Sequence, residues 1–239
     1  MFVKLANQSP VFFRFRVVAL DLKGFADSDK PSWSSNYRDD VIVEEIKSLV
    51  DVLKDDDQKM VLLGHGLGGR LCWRLAEKYP DLIDKLILIS APHPHHWLQH
   101  ISSSLRNIVD HHCYYSCRLP HLPEKKLSRN QRKLFDKRFK SWSNIEAGED
   151  LITLQVTVKN ISGLRQSKLF QEAYNYTFSE ASDWTGPVNY YRNLDLAQDF
   201  SQMNDDIKHL AVETLLIIGN DDRDVALDLI TSSAEIPEK

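Results

Sequence analysis

A glycine-rich turn has the residue spacing of a catalytic site. Residues 64–69 read Gly-His-Gly-Leu-Gly-Gly, directly after the apolar run Lys59–Leu63 and at the start of a segment with helical spacing. A strand, Gly-x-x-x-Gly and a helix are typical of a nucleophile elbow, a strained turn whose middle residue projects above a sheet. Here the middle residue is Gly66, which has no side chain to act as a nucleophile or general base. The spacing therefore predicts the framework of a covalent catalyst without its attacking group.

Four apolar runs predict the strands that must position this turn. Continuous β-branched runs of this kind indicate strands buried on both faces, as in parallel sheets. The runs are Arg16–Asp21, Lys59–Leu63, Leu86–Ile89 and Val212–Gly219. Helical spacing covers Tyr37–Lys54 and Leu67–Tyr79 between them. The alternation predicts an α/β fold with a mostly parallel sheet and helices on both sides.

Composition excludes several classes of protein. The chain has 239 residues, 42% of them hydrophobic and 27% charged, with a formal net charge of -4. That balance favours a globular domain, and the absence of a basic surplus argues against nucleic-acid binding. Three cysteines are too few for a disulfide framework or a zinc site, so we expect no metal and no cofactor. No run approaches the roughly 20 apolar residues that span a bilayer.

The turn over residues 64–69 also resembles a known family. It looks like the Gly-His-Asp-Trp-Gly-Gly turn of epoxide hydrolases in the α/β-hydrolase superfamily, and it is most similar to the vertebrate membrane-associated group. Other segments match the family in its own order, from roughly residue 15 to residue 225. They are Arg16–Gly24, Ser28–Pro31, Tyr79–Pro80, Lys85–Ile87, Pro92–Pro94, Gly186–Asn193 and Thr214–Asp222.

The resemblance implies an α/β-hydrolase fold with an inserted helical lid. We expect the first part of the core over residues 1–97, the lid over 98–195 and the second part of the core over 196–239. Compared with the family, the early and last strands are missing from this chain, which implies a truncated core.

The family's chemistry can be carried over to only a few positions. In epoxide hydrolases an elbow aspartate attacks the epoxide, and a His–acid pair then hydrolyses the resulting ester. The nucleophile position falls on Gly66, and the acid falls on Asp222, or on Asp221 if the register slips by one. The resemblance places the base beyond His209, where this sequence holds no histidine. The family's His-Gly-x-Pro loop is also absent, so we expect a chain with impaired catalysis.

Ligand contacts are implied at four positions. Tyr191 matches one of the two lid tyrosines that hydrogen-bond the epoxide oxygen. The second aligns near Cys113, with Tyr114 and Tyr115 beside it, and we take Tyr114 as its replacement. Leu67 stands where the family has tryptophan and keeps a backbone N–H for an oxyanion hole. His65 lies beside the elbow apex and completes the predicted ligand contacts.

Histidines beyond the elbow invite a metal site, which we do not predict. His95–His96 and His111–His112 are adjacent pairs, so their members point in different directions on a helix. We expect these side chains and His93 to be solvated residues at the entrance of the lid. The turn over residues 64–69 lacks the Lys-Ser/Thr of a P-loop, and a serine esterase is excluded at Gly66.

Three hypotheses about function follow. The first is an epoxide hydrolase-like α/β-hydrolase by descent. The second is a pseudoenzyme that binds a small apolar epoxide, a lipid-like ligand or a protein partner without catalysis. The third is an incomplete splice or gene-model product. A haloalkane dehalogenase is disfavoured because it also needs the elbow aspartate. The sequence leaves localisation open. As written, it reads as a soluble intracellular chain without the N-terminal membrane anchor that related proteins often carry.

Overall fold

A parallel β-sheet lies at the centre of the fold. The computed structural model describes residues 17–53, 59–129, 172–194, 210–220, 222, 225 and 227–234. In this part of the chain the sheet has three strands, β1 (Met60–His65), β2 (Ile83–Ile89) and β3 (Glu213–Ile217), in the order β1-β2-β3. All pairs are parallel, which confirms the α/β class predicted from the sequence.

Two helices bracket the first strand. Helix α1 (Asp39–Leu53) begins with two acidic residues. Their negative charges interact favourably with the partial positive charge at the helix N-terminus and so stabilise the helix. Helix α2 (Leu67–Lys78) starts at the glycine-rich turn and ends two residues before Pro80. Proline cannot continue a helix, because it has no backbone N–H and its ring clashes with the preceding turn. Both helices lie where apolar spacing predicted them.

Several shorter helices follow the second strand. Residues 122–129 and 172–177 are helical, and a 3₁₀ turn spans Ala181–Trp184. The remaining α-helices of the described part are α3 (Pro94–Ser102), α4 (Leu105–Asp110), α5 (His112–Ser116), α6 (Thr185–Arg192) and α7 (Leu227–Ala234). Two further 3₁₀ turns, Ser34–Tyr37 and Pro80–Leu82, precede α1 and β2. None of these described helices combines the length and apolar composition needed to cross a membrane.

The main hydrophobic core lies between α2 and the sheet. Trp73 is 2% exposed, and its indole N–H donates to the carbonyl oxygen of Ala91 at 3.1 Å. Leu86 and Leu88 are fully buried from the middle strand. Each such side chain stabilises the fold by about 1.5–3 kcal/mol through burial. This packing fixes the carboxyl ends of the strands, where the glycine-rich turn lies.

The strand predicted over Arg16–Asp21 is wrong for residues 17–21. These residues form no strand in the described structure, and Val17 and Val18 are 58% and 47% exposed. An apolar run shows only that a segment could be buried, whereas a strand also requires a hydrogen-bonded neighbour. Arg16 lies outside the described residues.

The chain divides into two compact units. One comprises Trp33–Arg118 and Asn189–Lys239 and holds the whole sheet. The other combines Phe2–Ser32 with Leu119–Val188, and within it Gly186 approaches Gly24 so closely that an added Cβ would lie 2.5 Å from the Gly24 Cα. The predicted lid boundaries, 98–195, stay a prediction.

Candidate functional site

The turn between β1 and α2 has the geometry of an elbow. Gly66 adopts φ 54° and ψ -119°, a conformation that L side chains rarely adopt. Its N–H donates to the Ile89 carbonyl at 3.2 Å, and its own carbonyl accepts from the Arg70 N–H at 3.0 Å. A Cβ added at Gly66 would meet no atom within 4 Å. The apex therefore faces open space but carries no side chain.

Glycine is required beside the apex because strand and helix almost touch. A Cβ on Gly64 would lie 2.6 Å from the Gly69 Cα and 2.8 Å from the Gly68 carbonyl oxygen. A Cβ on Gly69 would lie 2.2 Å from the Cβ of Ala91. We expected Gly64 and Gly68 to frame the turn, but the closest backbone approach is between Gly64 and Gly69. The turn of the helix decides which glycine faces the strand.

A cavity of about 180 Å³ opens at this turn. It lies at the carboxyl ends of the three described strands, the usual position of ligands in open α/β sheets. All of its lining residues belong to the unit that contains the sheet. They are His65, Gly66, Leu67, Arg70, Ser90, Ala91, Pro92, Pro94, Trp97, Tyr114, Tyr191, Asp222 and Val225. The lining includes the six residues of the predicted site, and the roles predicted for them stay predictions. They are His65, Gly66, Leu67, Tyr114, Tyr191 and Asp222.

Two tyrosines share one wall of the cavity. The rings of Tyr114 and Tyr191 lie 5.4 Å apart, and Tyr114 also packs edge-on against Trp97 at 4.9 Å. The neighbours of Tyr114 are placed differently. Cys113 is exposed, and the Tyr115 hydroxyl donates to the Ile101 carbonyl at 3.1 Å. Of the three candidates near the aligned position, Tyr114 is the one that lines the cavity.

The predicted acid is held by the turn that follows β3. Asp222 is half-buried and lines the cavity. Its Oδ1 accepts the Val225 N–H at 3.2 Å, and its own N–H donates to the Gly219 carbonyl at 3.1 Å. Asp221, the alternative acid, lies outside the described residues. The Asp222 carboxylate therefore stabilises the turn that follows β3, and this structural role does not depend on its orienting a base.

The backbone at the start of α2 offers a hydrogen-bond donor. Leu67 is the first residue of this helix, so its N–H has no partner within the helix. His65 precedes the apex on the exposed face of β1 and contributes to the same cavity. Both residues line the cavity, and their role as ligand contacts stays a prediction.

The histidines after β2 are not all solvated as expected. His93 and His95 are only 4% and 3% exposed. His93 Nε2 lies 2.6 Å from Glu77 Oε1, and its backbone N–H donates to Ser233 Oγ at 2.8 Å. These two partners make the burial of His93 favourable. Both are distant in sequence, so the neighbouring residues of His93 could not predict the contacts. The described residues include no group of three or more His, Cys, Asp or Glu side chains placed to hold a metal ion.

Burial and charge shift two pKa values around this histidine pair. Burial raises the pKa of Glu77, but the hydrogen bond with His93 and the charge of Arg74 outweigh it and leave that pKa below its usual value. Burial lowers the pKa of His95, and the nearby His93 and Arg74 lower it further. Glu77 and His93 are absent from the lining of the cavity, and their contact joins α2 to the segment that follows β2.

Arg70 is a charged lining residue that the sequence reasoning missed. It is 7% exposed, and its Nη2 donates to Asp39 Oδ1 at 2.8 Å and approaches the Tyr190 carbonyl at 3.4 Å. Its Nε and Nη1 are buried and have no hydrogen-bond partner in the described structure. A signal existed, since Arg70 lies one helical turn after the apex and therefore on the same face of α2.

Comparisons with known proteins find relatives along most of the chain. The family model of the alpha/beta hydrolase fold matches residues 1–111. Mouse epoxide hydrolase 4 is 34% identical over 210 residues, which cover 87% of this chain and 52% of the relative. Mouse epoxide hydrolase 3 is 31% identical over 209 residues, covering 87% of this chain and 50% of the relative. The chain thus spans about half the length of the curated relatives it matches.

Solved structures share the fold. An epoxide hydrolase mutant from Bacillus megaterium, solved in complex with its diol product, matches with a TM-score of 0.61 at 21% identity. The match covers 88% of this chain and 68% of that structure. At this identity the likeness concerns the fold alone, and it agrees with the parallel sheet flanked by helices described above.

Proposed function

The chain belongs to the epoxide hydrolase branch of the α/β-hydrolase superfamily, and from this premise we propose that it binds small apolar epoxides or lipid-like ligands without hydrolysing them. The single observation that carries the proposal is the elbow apex. Covalent opening of an epoxide in this family requires a carboxylate there, and Gly66 supplies none. No ester intermediate can form at this position, so the reaction stops at binding.

Support for binding comes from what remains of the site. Tyr114 and Tyr191 stand side by side on the cavity wall, where two hydroxyl donors suit an epoxide oxygen. Trp97 and Val225 supply apolar surface in the same cavity. The α2 N-terminus adds the Leu67 amide as a further donor.

Thermal melting with diol analysis of the same samples tests the proposal. Styrene oxide is the probe. At about 100 times its Kd, a ligand stabilises the folded state by about 2.7 kcal/mol, which raises the Tm by roughly 5–11 °C for a chain of this size. We expect a saturable rise in Tm and no more diol than buffer alone produces. Replacing Tyr114 and Tyr191 by phenylalanine should reduce the rise, whereas Tyr176→Phe, at a residue that is 75% exposed, should not.

Three results would contradict the proposal. Diol above the buffer rate would show that another group attacks the epoxide. A cooperative melt that styrene oxide does not shift would exclude this class of ligand. A chain without a cooperative melt would favour the third hypothesis, an incomplete product that does not fold by itself.

A further inference from the structure

One side of the parallel sheet exposes apolar side chains. Alternate residues of a strand point to the same side of a sheet, so Val61 and Leu63 of β1 lie together. The register across β2 places Leu215 and Ile217 of β3 on that side as well. These four side chains are between 38% and 54% exposed, and all belong to the unit that contains the sheet. We call the side that carries them the open face.

The opposite side of the sheet is closed. There Leu86 and Leu88 of β2 are at most 1% exposed and belong to the same core cluster as Trp73 of α2. Sheets made only of parallel strands occur almost entirely in proteins that cover both of their faces. Contiguous apolar patches on soluble proteins mark surfaces that bind other molecules. The open face therefore has the composition of a binding surface.

The charges of the open face suit a partner with the same pattern. Lys85 and Glu213 lie opposite each other on β2 and β3, form an ion pair, and are 50% and 72% exposed. The next pairs on the same side are apolar, namely Ile87 with Leu215 and Ile89 with Ile217. This β2–β3 part of the open face thus has no formal net charge, and it places a positive group beside a negative one. Electrostatic complementarity then favours a surface that also presents one charge of each sign.

A second copy of the chain presents that surface. A two-fold axis parallel to the strands and midway between β2 and β3 places β2 of each copy over β3 of the other. Lys85 of each copy then faces Glu213 of the other, and Ile87 of each faces Leu215 of the other. Two-fold interfaces use the same patch on both copies. Two sheets also pack well face to face when their strands are nearly aligned.

We propose that the open face binds a second copy of this chain and forms a two-fold dimer. Apolar contacts and two reciprocal pairs of Lys85 with Glu213 hold it together. This inference does not depend on the ligand proposed above. The open face has fewer residues than the roughly 20–30 on each side of a standard interface, so we expect a reversible dimer with a Kd on the order of 10 μM.

Sedimentation velocity of the full chain at concentrations from about 1 to about 200 μM tests the proposal, because this range brackets the expected Kd. We expect the weight-average mass to rise from that of one chain toward that of two. Leu215→Glu places a charge in the apolar middle of the interface and should weaken association by about 10-fold or more. Val52→Glu is the matched control, since it adds the same charge on α1 at a residue that is 82% exposed and should associate like the unmodified chain.

Reversal of single charges tests how the two copies are arranged. Lys85→Glu should weaken association by about 10-fold, because two negative groups then face each other twice in every dimer. Glu213→Lys should have the same effect through two positive groups. An equimolar mixture of the two variants should associate at least as well as the unmodified chain. Every contact across the axis then joins opposite charges, although the ion pair within each copy is lost.

Each remaining outcome would overturn the proposal. A mass that stays at one chain up to about 200 μM would exclude the dimer, and another occupant would then have to cover the open face. Association that Leu215→Glu leaves unchanged would place the contact on a different surface. A mixture of the two charge variants that associates no better than either variant alone would exclude the two-fold arrangement. If Leu215→Glu does not melt cooperatively, the charge variants decide alone, since they change side chains that are at least half exposed.

Discussion

Replacing Gly69 by alanine tests the close approach of strand and helix on which the elbow depends. The added Cβ would lie 2.2 Å from the Cβ of Ala91, far inside the roughly 3.5–4.0 Å at which carbon atoms attract. Overpacking of this kind costs about 1–3 kcal/mol, and the severity of the contact places it at the upper end. Alanine in a helix recovers about 1 kcal/mol relative to glycine. We therefore expect a net loss of about 2 kcal/mol, or roughly 4–8 °C in Tm.

The assay is thermal or urea unfolding of the native chain and two variants. Gly219→Ala is the matched control, because a Cβ there would meet no atom within 4 Å. We expect the control to stay within about 0.5 kcal/mol of the native chain. A Gly69→Ala protein as stable as the native chain, or more stable, would refute the geometry of this turn.

Two further predictions concern the core and its response to pH. Leu86→Ala should destabilise the chain by about 2–5 kcal/mol in urea unfolding, because Leu86 is fully buried. Val52→Ala, at a residue that is 82% exposed, should have little effect. Equal losses of stability in the two variants would contradict the assigned core. Burial lowers the pKa of His95 below its ordinary 6.5, so the unfolded chain takes up this proton first as the pH falls. The contribution of His95 to stability is then complete above pH 6.5 and is lost as the pH falls through the folded pKa. Melting from pH 7.5 to 5 should therefore show a steeper loss for the native chain than for His95→Gln, and parallel curves would exclude this role.

The sequence predicted the regular elements around the site better than the segments beside them. Strands β1, β2 and β3 and helices α1 and α2 lie where apolar runs and helical spacing placed them. The middle strand begins at Ile83, before the predicted Leu86, because Asp84 and Lys85 occupy exposed positions within a real strand. The strand prediction over residues 17–21 was wrong because a strand needs a neighbouring strand to pair with, and a local apolar run does not show whether one is present.

Some features of the cavity region could likewise be predicted from the sequence, and others could not. Gly66, Tyr191 and Asp222 could be assigned to it because a resemblance fixes their order along the chain. Burial of His93 depends on Glu77 and Ser233, which come from two other elements. Burial of Arg70 depends on Asp39 and on the Tyr190 carbonyl, which come from two other helices.

The central claim is that the elbow retains its geometry and lacks only its attacking group. Its most direct test is intact-mass measurement of the native chain and Gly66→Asp after incubation with styrene oxide, with diol measured in parallel. Open space at the Gly66 Cβ leaves room for the carboxylate, although its positive φ makes the variant strained. We expect an unmodified native chain and a single epoxide adduct on Gly66→Asp. We expect no steady-state diol from either, because no histidine follows His209 in this sequence to hydrolyse the ester. Diol production by the native chain, or a folded Gly66→Asp protein that gains no adduct, would contradict it.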